Sequence, residues 1–244
     1  MLGEDLLTEG SFIPPSTSPC KQEKHPDSGE RCRQEVATRR NNPRHIEGTG
    51  RVEAFSDGVM AIIMTLLIFE LHVPTITDFS LSGAWAALLA IAPKFISFAV
   101  SFITIAIFWV NHHHFFSRIT HTDWKLLWYN NLLLFWLAIV PFTTAFIGDY
   151  PTFPVAVFVY ALTLCLAGLS FTLMGRYVFF KSNLLSEAVP ISERRREWRR
   201  SWFGTGLYGL ATILAFVFVQ AALIIVAIIP MLFLVPNLLE ETPE

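Results

Sequence analysis

The 244-residue chain is short of charge: Asp, Glu, Lys and Arg make up only 16% of it. A soluble globular domain carries roughly 25%, so the shortfall argues against an ordinary soluble enzyme or nucleic-acid-binding module. Cysteine is scarce as well. Cys20, Cys32 and Cys165 are too few and too scattered for a disulfide framework or a cysteine-based zinc site. Cys165 lies inside an apolar run and reads as a small core residue. No internal repeat is present, whereas an inverted-repeat transporter carries two related halves. Nucleophile–base pairs, phosphate-cradling glycine loops and paired catalytic carboxylates are also missing, which removes support for an enzyme or a resident cofactor.

What the chain has instead is apolar length. Hydrophobic residues make up 53% of it and aromatics 14%, and the mean hydropathy is +0.48. Crossing the hydrocarbon takes roughly 20 apolar residues as helix. Spans are expected near 54–73, 84–110, 126–147, 153–179, 202–219 and 221–238. The last two come from one uncharged run, Trp202 to Pro236, which would be about 52 Å of helix and too long for a single crossing. A hairpin near Gln220 resolves it. The expected fold is therefore an all-α membrane protein of six transmembrane helices, in a domain covering 48–239. Residues 1–47, with five prolines among polar residues and no apolar run of signal-peptide length, read as a disordered cytoplasmic tail. Residues 240–244 form a short C-terminal tail.

Lys and Arg set the orientation. Six spans with both ends cytoplasmic put every basic residue except Lys94 on one side. The cluster Arg194, Arg195, Arg196, Arg199 and Arg200 reads as an anchor of that kind, and extends naturally to binding anionic lipid headgroups. Beside a membrane span it does not suggest nucleic acid. Trp85, Trp124, Trp128, Trp198 and Trp202 lie near span ends, as interfacial tryptophans do. Lys94 follows Pro93 within the second span, with snorkelling, Glu70 and Asp149 as open alternatives.

The first span opens on Arg51-Val-Glu-Ala-Phe55-Ser56-Asp57-Gly. Ionisable residues at membrane depth are costly and mark functional sites or their supports. At 100° per residue, Phe55, Gly58, Val59, Leu66, Phe69 and Val73 fall within about 60° of Ile62. Thr65 lies about 60° to the other side, and Glu53, Asp57, Met60 and Met64 lie opposite. The apolar stripe has coiled-coil spacing. Such a stripe suits plain packing; it also suits an axis lined by symmetry-related copies of Ile62, Leu66 and Phe69, a constriction of the dewetting kind. Asp57 on the back needs a partner, since burial alone would protonate it. The expectation is a network of Arg51, Asp57 and His112 or His113, with Asn130 and Asn131 at similar depth, holding the helix in register. His112-His113-His114 with His121 does not make a metal set, because consecutive histidines cannot face one way on a helix.

Arg51-x-x-x-Phe55-Ser56-Asp57, then Ala61-Ile62-Ile63-x-Thr65-Leu66 and Glu70-Leu71-x-Val73-Pro74, resembles the prokaryotic branch of the transmembrane protein 175 family of potassium channels. Phe108-Trp109-x-x-His112-His113 and Pro141-Phe142-Thr143-Thr144 extend the resemblance, which covers roughly residues 50–235. It implies a homotetramer of single six-helix repeats in a prokaryotic plasma membrane, conducting potassium passively. It also implies a pore lined by the first helix without a Thr-Val-Gly-Tyr-Gly filter. On this resemblance Ile62 forms the constriction, Leu66 and Phe69 are further pore positions, and Thr65 favours potassium. Phe69 stands where a leucine is expected. A proton-coupled secondary transporter and a non-conducting scaffold are the rival readings.

Overall fold

The computed structural model describes residues 48–186 and 189–239, except for the side chains of 234–239. The expected 1–47 and 240–244 tails lie outside the described residues. The described residues form seven α-helices in order: α1 Thr49–Leu66, α2 Leu81–Ala90, α3 Ala92–Phe116, α4 Trp124–Asp149, α5 Pro154–Phe180, α6 Ile191–Leu214 and α7 Val219–Leu239. Among the described residues four stretches are long and apolar enough to cross a membrane, namely Thr49–Glu70, α3, α4 and α5. The protein is a multi-pass helical membrane protein.

Local chemistry explains the element ends. Gly48 enters α1 at φ 102°, a left-handed conformation that glycine takes without cost. Asp123 caps α4 by accepting from the Leu126 N–H at 2.8 Å. Ser80 caps α2 through the Gly83 N–H and itself donates to Asp78 at 2.7 Å. Together with the Ser80 backbone N–H, that bond holds the Asp78 carboxyl below the usual carboxylate range.

Three boundaries depart from the sequence expectation. The second span is broken at Ile91 into the short α2 and the long α3, because Pro93 in the first turn of α3 has no N–H to continue a helix from α2. The last hairpin turns at Ala215–Phe218, before Gln220. There the Val217 and Phe218 N–H groups both close on the Leu214 carbonyl, and Val219 starts α7, with Gln220 inside its first turn. The α-helical part of the first span ends at Leu66, and Leu67–Glu70 continue as a 3₁₀ turn. The basic N-terminal half of α6 also leaves only Trp202 onward for apolar surroundings.

The core sits on α4 and α5. Leu133 and Leu137 of α4 and Leu164 and Met174 of α5 are fully buried, and Met60 and Ile63 of α1 with Leu67 of the 3₁₀ turn join the same core. Helices α5 and α6 approach closely: a Cβ on Gly168 would come within 2.9 Å of the Thr205 hydroxyl. Thr172 joins the seam through Ser201 at 2.6 Å and Thr205 at 3.1 Å. At one end of the bundle, Thr120 donates to the Leu184 carbonyl and Ser186 to that of Arg118, tying the segment after α3 to the segment after α5. At the opposite end Lys94 pairs with Asp149, which decides between the three alternatives left open for that lysine.

Candidate functional site

Helix α1 presents two contrasting faces. Its inner face buries Ser56, Met60, Ile63 and Leu67 against the protein. The outer face carries Phe55, Ile62, Thr65, Leu66 and Phe69, all exposed in the single chain. Phe69 is 72% exposed and Ile62 59%. The apolar stripe is therefore not packing within the chain. The 3₁₀ turn sharpens it, because residues three apart eclipse in that geometry, so Phe69 follows Leu66 along one line. Thr65 donates its hydroxyl proton to the Ile62 carbonyl at 2.8 Å. The oxygen's remaining lone pairs are left as acceptors on the exposed side.

A polar system fixes the inner face. Ser56 donates to the Val52 carbonyl at 2.8 Å and accepts from the Asn130 side-chain amide at 2.9 Å. With its nitrogen so used, Asn130 offers its oxygen to His112 Nε2 at 2.9 Å. That requires the proton on Nε2 and leaves Nδ1, which has no partner among the described residues, as a bare acceptor. His112 is fully buried and stacks on Phe116 at 4.4 Å. One relay thus joins α1, α4 and α3.

A second set of contacts runs along the surface side of the same two helices. Trp109 Nε1 donates to Asp57 at 3.0 Å, and His113 Nδ1 lies 3.1 Å from Glu53. Glu53 and Asp57 are four apart on α1, as Trp109 and His113 are on α3, so both pairs lie on facing stripes. Trp109 and His113 stack at 6.1 Å between them.

The structure brings together most of the expected network, with different pairings. Asp57 meets Trp109 where a histidine was expected, and the histidines bind Asn130 and Glu53. Arg51 is exposed and makes no hydrogen bond or ion pair among the described residues. Phe55 lies on the outer face, outside the polar system. Asn130 and Trp109 are the residues that pattern reasoning undervalued. Their signal was present: an amide in an apolar helix, and an indole one turn from a histidine.

The described residues thus form a helical membrane protein whose α1 is anchored by buried polar bonds on one face and exposed on the other. Comparison with known proteins makes this specific. The family model described as endosomal/lysosomal potassium channel TMEM175 matches residues 51–141. A potassium channel of Chamaesiphon minutus is 37% identical over 172 residues, spanning 69% of this chain and 85% of the relative. A potassium channel of Streptomyces collinus is 38% identical over 173 residues, 69% and 83% of the two chains. The crystal structure of a lysosomal potassium-selective channel TMEM175 homolog from Chamaesiphon minutus superposes with a TM-score of 0.69 at 33% identity. It covers 77% of this chain and 97% of that one. The chain belongs to the TMEM175 family.

Proposed function

We propose that the protein is a potassium-preferring cation channel, formed by four copies whose α1 helices surround a common axis. The carrying observation is the bare stripe of Ile62, Leu66 and Phe69 on a helix otherwise locked by Ser56, Met60, Ile63 and Leu67. Rings of these side chains make a hydrophobic neck that passes ions only when wetted. The Thr65 oxygen, its proton already given to Ile62, offers four acceptor sites beside that neck. An acceptor ring of this sort replaces part of the hydration shell of a weakly hydrated cation. The relatives named as potassium channels support the same ion.

The Ser56–Asn130–His112 relay and the Asp57–Trp109 bond keep α1 from rotating about its axis, so the stripe keeps facing the pore. They are positioning contacts and touch no ion. Phe55 closes the stripe at the Arg51 end. Six membrane passes place both termini, Arg51 and the arginines of α6 on the cytoplasmic side of a prokaryotic plasma membrane. Arg194, Arg195, Arg196, Arg199 and Arg200 then face anionic headgroups.

Reconstitution in a planar bilayer, with potassium on one side and sodium on the other, tests this reading. A reversal potential displaced toward the potassium equilibrium value supports it. Absence of current from folded, tetrameric protein overturns it in favour of a scaffold. Current that requires a proton gradient would favour a transporter.

A further inference from the structure

A cavity of about 330 Å³ lies among α3, α5, α6 and α7, away from the α1 face. This is within the size range of sites that hold small ligands, roughly 300–1,000 Å³. It is long. Its walls run from Thr104 to Phe115 on α3 and from Glu197 to Tyr208 on α6, twelve residues each, about 16 Å along the helix axes. Its walls are mainly apolar, with Phe108, Phe171, Phe179, Ile229 and Phe233, interrupted by Asn111 and by the hydroxyls of Thr172, Ser201 and Thr205. Glycines keep it open: Gly168, Gly175 and Gly204 all line it.

The end near the start of α6 is polar and cationic. Arg118 reaches in and is paired with Glu193 and Glu197. Arg200 donates to the Phe233 carbonyl at 3.3 Å and lies over the Phe233 ring. Five arginines stand against two glutamates on α6, so the field there is positive. One further group is out of balance. The Trp198 indole lines this cavity, and its Nε1–H is buried with no acceptor among the described residues. A buried donor with no acceptor costs about 1–3 kcal/mol, which a bound acceptor would relieve. Trp198 was expected at the membrane interface with the other tryptophans. Its ring packs edge-on to Phe180 and Trp202.

We propose that this cavity is a lipid site, taking one acyl chain of an anionic phospholipid in its apolar length. A phosphate oxygen accepts from Trp198 Nε1 under the positive field of α6. An elongated apolar slot ending in an unpaired donor beside arginines matches a chain with an anionic oxygen head better than it matches a compact polar metabolite. The inference rests on the membrane placement proposed above and is independent of ion conduction.

The test uses the full chain in nanodiscs containing phosphatidylglycerol with a diazirine partway along one acyl chain. After photolysis, adducts are mapped by mass spectrometry. The expected result is labelling of Phe108, Phe171 or Phe233, displaced by unlabelled phosphatidylglycerol and about tenfold less by phosphatidylcholine. Gly175→Leu should remove these adducts; a Cβ there meets only the Phe179 ring, at 3.5 Å and 3.8 Å, so the helix tolerates it. Trp198→Phe keeps an aromatic ring, removes the donor and should weaken labelling by either lipid, while the preference for the anionic one, set by the arginines, remains. Adducts confined to outward-facing residues such as Phe135 and Phe142 would overturn the proposal. So would cavity adducts unchanged by both variants, or equal displacement by the two lipids. Because the readout is labelling, its failure leaves the conduction measurement untouched.

Discussion

Two pairs of helices in this protein are similarly apolar and differently covered. In the most apolar stretches of α4 and α5, 50% and 56% of residues are buried; in α1 and α3 the shares are 22% and 17%. Apolarity in a membrane protein does not say whether lipid, the same chain or another copy lies alongside, because lipid tails are as apolar as leucine. Polar anchoring distinguishes them. Helix α1 is thinly covered, yet a buried serine–amide–histidine relay ties it to α4 and α3. A helix merely facing lipid has no need of a fixed rotation. A helix that must present Ile62, Thr65, Leu66 and Phe69 in one direction does.

The contrast can be broken most strongly at the inner face. Met60→Ala empties a fully buried site and should cost about 2–4 kcal/mol, read as a lowered melting temperature in detergent. Phe69→Ala on the outer face should leave the monomer's stability almost unchanged and weaken subunit association. Equal losses in both assays would erase the distinction between the faces. Asn130→Ala leaves Ser56 and His112 without their shared partner, and a loss of about 1–3 kcal/mol is expected. Its currents should become heterogeneous, since the rotation of α1 is released.

Smaller effects sharpen the picture. Thr65→Ala removes one acceptor per subunit, and the potassium-to-sodium permeability ratio should fall about fivefold, with conductance retained. Smallest of all is Lys94→Gln. The Lys94–Asp149 pair is partly exposed, 35% and 48%, so breaking it should cost under about 1 kcal/mol and less in high salt.

Long apolar runs set α4 and α5 to within about two residues, whereas α1 starts and ends several residues earlier than the run around it suggests. The stripe on α1 was legible because 3.6-residue periodicity separates its faces in any environment. The sequence left open what lay against them. Packing and pore lining have the same periodicity, and only the exposure of Ile62 and Phe69 in the folded chain removes packing within the subunit. Partners chosen across helices were less legible. Asp57, Trp109 and His113 all sit at matching depth, and which of them meet depends on the rotation of α3 by a fraction of a turn. The cavity was invisible for a stronger reason, since four helices contribute to its wall and the unpaired donor of Trp198 follows from their packing.

The account stands most directly on whether the outer face of α1 meets water in the conducting pathway. Cys20, Cys32 and Cys165 can be replaced by serine and a single cysteine placed at position 62 through Ile62→Cys. Current through this variant should be blocked by a water-soluble, positively charged methanethiosulfonate. A Phe135→Cys control, on an exposed face of α4, should be unaffected. Unaltered current in the Ile62→Cys channel, despite reagent that modifies other exposed cysteines, would contradict a pore lined by α1.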